Sequence, residues 1–195
     1  MDDDFNDDDE DDEYFDLPPQ AQFNISGNDI EKWRYKSIAL FESAKSLAKN
    51  CCYTPEDPED IHSVFKWIEL HGVFRMLYGM AFECLFKTLW LVFGNTLVSN
   101  GKYRGIPETK DHDLCSLEKK VFENVDSCLN DEERKILARL SFFITFGRYP
   151  IRKSVSERHP TAPEDDKPVY WCRWSSEDYE LLKSIEEKLM GLIEI

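Results

Sequence analysis

Several signatures of common enzyme classes are absent from this sequence. It contains no Gly-rich phosphate loop, no GxSxG nucleophile elbow and no HExxH zinc motif. The six cysteines lie at irregular spacings without a CxxC pair, which favours reduced thiols inside helices. His112 and Cys115 would supply half of a zinc site, but no second half follows at usable spacing. We therefore expect no metal and no cofactor.

The sequence also lacks a long uninterrupted apolar run. Its most apolar segment, residues 73–93, is broken by Arg75, Glu83 and Lys87, so it predicts a buried helix and no membrane span. The start has no basic region followed by an apolar core, from which we expect no secretory signal and a cytoplasmic location.

Basic residues are missing from the first 16 positions, which hold 11 of the 39 acidic residues. The remaining 28 acidic and 24 basic residues leave the rest of the chain at −4, against −15 for the whole. A run of like charge this dense cannot collapse on itself, and Pro18-Pro19 closes it off. We predict a disordered acidic tail over residues 1–27 and a single domain over residues 28–195.

No segment alternates apolar and polar residues long enough to predict a sheet, and there is no internal repeat. Helical periodicity predicts an all-α fold, a bundle of four main helices plus a shorter one. The predicted helices cover residues 29–49, 58–94, 112–128, 130–147 and the segment from 175 onward.

Three of these helices begin with a capping-box pattern: Asn28 with Glu31, Asn130 with Glu133, and Ser175 with Asp178. The helix at residues 58–94 is apolar nearly all round in its second half, as expected for the central element of the core. Glu83 and Lys87 lie four residues apart on its one polar stripe. If exposed, this pair would contribute roughly 0.3 kcal/mol.

A basic segment follows the helix that ends at Gly147. Residues 147–158 carry Arg148, Arg152, Lys153 and Arg158 against Glu157, a net charge of +3 in an acidic protein. Arg148-Tyr149-Pro150 is interpreted as a helix terminator rather than a direct ligand contact.

Aromatic residues stand at the far end of this segment, in the sequence YWCRW. Basic side chains beside exposed rings suit single-stranded RNA, whose phosphates meet arginine and whose bases stack on aromatic faces. The candidate RNA-binding residues are Arg148, Lys153, Arg158, Arg173 and Trp171. For Trp174 we favour a packing role, in which it holds the last helix against the bundle.

Arg152 and His159 enclose six residues, a spacing that some metal-independent ribonucleases use for their reactive pair. His159 would take the proton from the 2′-hydroxyl, and Arg152 would hold the charge that grows on the phosphate. A catalytic pair needs a fixed geometry, and the Pro-rich segment that carries these residues shows no pattern that predicts one. We favour binding over catalysis.

Three motifs, AFECLFKTLWL at residues 81–91, HDLCSL at 112–117 and FGRYP at 146–150, occur in an order and helical placement that resembles the HEPN domains. The resemblance covers about residues 28–195. It implies an up-and-down helical bundle, often dimeric, that associates with RNA. Many HEPN proteins are ribonucleases or RNA-binding parts of toxin–antitoxin pairs and anti-phage defence systems.

The catalytic branch of that family places an Arg four to six residues before a His near the start of a late helix. This sequence departs from the pattern, because no His follows Arg139 at that spacing, and the Arg-Tyr-Pro branch often lacks the pair. Three hypotheses result. The chain is an RNA-binding or RNA-cleaving HEPN-like component of a defence or toxin system, a bundle that only binds a protein partner, or an acidic-tailed inhibitor of a nucleic-acid-binding protein.

Overall fold

The computed structural model describes residues 17–50, 57–146 and 174–193. Within these ranges the chain is helical except for one small hairpin, which confirms the all-α prediction. The elements are α1 (Pro19–Gly27), α2 (Ile30–Asn50), α3 (Ile61–Val92), β1 (Val98–Ser99), β2 (Lys102–Tyr103), α4 (Leu114–Val121), α5 (Asp131–Phe146) and α6 (Ser176–Gly191).

Helix α1 corrects the predicted extent of the acidic tail. Residues 19–27 belong to the predicted disordered tail, but they form a helix that begins with Pro19 in its first turn. A contact with the hairpin stabilises this helix, because the Asn24 side chain accepts a hydrogen bond from the Gly101 backbone at 2.8 Å. Residues 1–16, which carry the acidic run, lie outside the described residues.

Asn28 does not cap α2 as predicted. Its side chain accepts hydrogen bonds from the backbone of Leu97 at 2.7 Å and Val98 at 3.0 Å, and it donates to the Val98 carbonyl at 2.8 Å. Asp29 takes the capping role, accepting from the Lys32 amide at 3.1 Å. The Asn28 side chain therefore binds the backbone of the hairpin, although the sequence spacing predicts that it caps α2.

Helix α3 lies at the centre of the core and packs against α2, α4, α5 and α6. Asp60 caps its first turn, accepting from the backbone of His62 and Ser63. The predicted burial of its second half is confirmed, since fully buried residues there include Phe74, Phe82, Leu85, Phe86 and Leu89. No helix in the described ranges is long and apolar enough to cross a membrane.

The capping boxes of α5 and α6 are confirmed. Asn130 and Glu133 exchange backbone-to-side-chain bonds of 2.8 and 2.9 Å, and Ser175 and Asp178 form the same arrangement. Helix α4 is shorter than predicted and ends at Val121. Val125, which lies within the predicted helix over residues 112–128, is outside α4 and 52% exposed.

Candidate functional site

The predicted catalytic and RNA-binding residues lie outside the described residues. They are His159, Arg152, Arg148, Lys153, Arg158, Arg173 and Trp171. The interpretation of Arg148-Tyr149-Pro150 as a helix terminator also stays a prediction, since the description of α5 stops at Phe146. The structure does show how the segments on either side of residues 147–173 are held.

Two arginines contact the ring of Trp174, where the described chain resumes. The guanidinium carbon of Arg139, on α5, lies 4.4 Å from the centre of the Trp174 ring, and that of Arg75, on α3, lies 5.0 Å away. Arg139 also bonds Asp178 in the first turn of α6 at 2.6 Å. Trp174 packs against the core beside Phe74, so its predicted packing role is confirmed.

Arg75 lies deep in this contact. Only 2% of it is exposed, and its guanidinium carbon is also 5.1 Å from the Phe143 ring and 5.5 Å from the Phe74 ring. The guanidinium groups of Arg75 and Arg139 thus lie beside Trp174, the residue that follows segment 147–173. The start of α6 is fixed there to both α3 and α5.

A second polar feature lies on α3, around Glu83 and Lys87. The two side chains pair at 2.6 Å as predicted, but they are buried rather than exposed. The other oxygen of Glu83 lies 2.9 Å from Nδ1 of His112. The predicted helix starts at residue 112, but α4 begins after Asp113, whose carboxylate caps it.

Lys87 is enclosed by groups from three further segments. Its ammonium nitrogen lies 5.1 Å from the Trp33 ring, 5.4 Å from the Tyr103 ring and 3.4 Å from a carboxylate oxygen of Asp111. Burial opposes the charge, but the Glu83 carboxylate and hydrogen bonds to Glu83 and Tyr103 outweigh it and raise the pKa of Lys87. Lys87 is therefore a permanent buried cation that ties α2, α3 and the hairpin together.

The hairpin carries an exposed basic and aromatic patch that sequence reasoning missed. Residues 94–110 look like an irregular Gly- and Pro-containing loop, yet Asn100 and Gly101 form its tight turn with positive φ angles of 52° and 69°. An Asn-Gly pair with this geometry is typical of a two-residue hairpin. The signal was present in VSNGKYR, where Lys102, Tyr103 and Arg104 follow the turn and are exposed.

In the described part of the chain, the buried thiols are poorly reactive and the acidic groups form no metal cluster. Burial raises the pKa of Cys84 and of Cys115 to about 11, so both thiols stay protonated near neutral pH. Among the residues that the structure describes, no group of three or more His, Cys, Asp or Glu side chains is placed to hold a metal ion.

No protein-family model matches the chain, and searches of curated proteins and of solved structures found no match. The HEPN resemblance therefore rests on the sequence motifs alone. The structure does bring two of those motifs into contact, because Glu83 and Lys87 come from the first and His112 from the second.

Proposed function

We propose that this chain is a HEPN-like helical bundle that binds single-stranded RNA through the basic segment between α5 and α6. The observation that carries the proposal is the anchor at Trp174. Arg75 and Arg139 stack on that ring, and Arg139 bonds Asp178, so the segment 147–173, whose first twelve residues carry a net charge of +3, ends at an anchor that is itself cationic. Because one end of the segment is anchored at Trp174, the segment loses less conformational entropy on binding RNA.

The setting follows from the HEPN resemblance. We propose a component of a toxin–antitoxin pair or an anti-phage defence system, with a cognate protein or a second copy of the chain as partner. Binding is proposed rather than cleavage, because Arg152 and His159 lie in a segment with several prolines and no helical pattern.

The test is the salt dependence of binding to a single-stranded RNA oligonucleotide. Each phosphate contact on a single strand contributes about 0.7 to the slope of log affinity against log salt. Replacing Arg148, Arg152, Lys153 and Arg158 with Gln should therefore reduce that slope by up to about 3. The matched control replaces four exposed lysines elsewhere, Lys36, Lys49, Lys66 and Lys119, and should change it little.

A slope that falls equally in both variants would contradict the proposed segment, since it would show only the effect of net charge. Cleavage is checked in the same experiment with a chelator present. RNA cut by the unmodified protein but not by His159→Ala would place the chain among the metal-independent endoribonucleases instead.

A further inference from the structure

The exposed cations of the described chain fall into two groups. Some pair with a carboxylate on the same helix, as Lys135 does with Glu132 and Lys183 with Glu187. The others form no ion pair with any residue in the described ranges: Lys36, Lys66 and Lys119 are dispersed on α2, α3 and α4, whereas Lys102, Arg104 and Lys110 lie within nine residues of the chain. Their charge is available to a ligand without breaking an internal pair.

A hydrogen bond joins the two short stretches that carry these cations. The Tyr103 hydroxyl donates to Asp111 at 3.0 Å; Lys102 and Arg104 flank Tyr103 in the chain, and Lys110 precedes Asp111. We call the surface of Lys102, Tyr103, Arg104 and Lys110 the hairpin surface.

The carboxylates of the same stretch are both occupied. Asp111 accepts from Tyr103 and lies 3.4 Å from the Lys87 ammonium. Glu108 pairs with Lys120 of α4 at 3.0 Å. Each acid is therefore engaged by a lysine outside the hairpin surface and does not pair with Lys102, Arg104 or Lys110.

The hairpin surface is held rigidly from below. The Asn28 side chain bonds the backbone of Leu97 and Val98 at the first strand, and the Asn24 side chain bonds the Gly101 backbone in the turn. Gly27 packs directly on Val98, where a larger residue would collide with the valine side chain. Lys87 supports the Tyr103 ring at 5.4 Å, and 40% of Tyr103 remains exposed.

We infer that the hairpin surface is a second contact for single-stranded RNA, with Lys102, Arg104 and Lys110 on the phosphates and Tyr103 as a platform for one base. The inference rests on the proposed function and extends it to residues outside the segment 147–173. An exposed ring among unpaired cations is the chemistry that single strands require, because every base offers a face for stacking. Duplex RNA hides its bases and would use only the cations.

The experiment compares four proteins in binding to a single-stranded oligouridine across a salt series. These are the unmodified chain, the quadruple variant of segment 147–158, a hairpin variant with Lys102, Arg104 and Lys110 replaced by Gln, and a control with Lys36, Lys66 and Lys119 replaced by Gln. The hairpin variant should lower the slope by up to about 2, and the control should not.

The outcomes separate this inference from the proposed function. If the hairpin variant behaves as the control while the segment variant loses its slope, the inference is overturned and the proposed function stands. If only the hairpin variant loses slope, the inference stands and the proposed segment fails. If neither differs from the control, both are wrong.

Tyr103 is tested by a pair of substitutions. Tyr103→Phe keeps the ring and removes only the hydroxyl, with its hydrogen bonds to Asp111 and Lys87, whereas Tyr103→Leu removes the ring. We expect Tyr103→Phe to bind within about twofold of the unmodified protein and Tyr103→Leu to bind about tenfold more weakly. Thermal unfolding of both variants checks that the loss is not one of folding. Equal weakening toward duplex RNA would contradict base stacking and overturn the single-strand assignment.

Discussion

The two halves of α3 belong to one continuous helix but lie in different environments. Between Ile61 and Leu70 no residue is buried, and Phe65 is 58% exposed. From His71 to Leu91 most residues are buried, and Phe74 is completely so. Both halves are rich in apolar residues, so helix formation and burial are decided separately: the backbone continues through its own hydrogen bonds, while burial depends on which neighbours reach each turn.

The phenylalanines of the two halves give the largest expected contrast. Phe74→Ala should lower the free energy of unfolding by about 4 kcal/mol, because it leaves a cavity among Tyr78, Trp174 and Tyr179. Phe65→Ala should change it by less than about 0.5 kcal/mol, since its ring is largely in solvent. Denaturant unfolding of both variants measures the difference. A large loss in Phe65→Ala would show that the first half is covered in solution.

The glutamates give the next contrast. Glu83→Gln should cost about 3 kcal/mol, because it deprives the buried Lys87 ammonium of its nearest carboxylate. Glu69→Gln, on the exposed half, should cost almost nothing.

A double-mutant cycle sharpens this second prediction. Glu83→Gln combined with Lys87→Met removes both charges, so it should cost clearly less than the sum of the two single changes. Additive costs would mean that the pair is coupled only weakly and that solvent reaches it.

The glycines give the smallest difference in stability between the two halves, and the two substitutions change stability in opposite directions. A Cβ at Gly79 would lie 2.5 Å from Ile144 and 3.3 Å from the Leu140 carbonyl oxygen, so Gly79→Ala should destabilise by about 2 kcal/mol. At Gly72 a Cβ would meet nothing within 4 Å, and Gly72→Ala should stabilise by about 0.5 kcal/mol through helix propensity. Melting temperatures that shift in opposite directions would confirm that α5 packs closely only on the second half.

Prediction succeeded where the deciding contacts are local. The boxes at Asn130 and Ser175 each join residues three apart, and Glu83 reaches Lys87 four residues on, so spacing alone contains the geometry. Prediction failed where a distant partner competes. Asn28 has the spacing for a capping box, but hydrogen bonds to a hairpin about 70 residues later occupy its side chain.

The candidate site divides in the same way. The basic and aromatic character of residues 147–173 is read directly from the sequence, and the Asn-Gly turn of the hairpin was readable there too. The joining of Arg75, Arg139 and Trp174 was not, because these residues come from three helices whose packing no periodicity describes.

By itself, the sequence determined that the chain is helical, where most helices begin, and which apolar faces are available for a core, because these depend on propensity, caps and spacing within a few residues. Only the tertiary structure decided that α1 is part of the folded body, that Glu83 and Lys87 are buried against His112, and that the hairpin presents unpaired cations. Each of these depends on contacts between residues far apart in the chain, and the free energy of such contacts exists only once the elements pack.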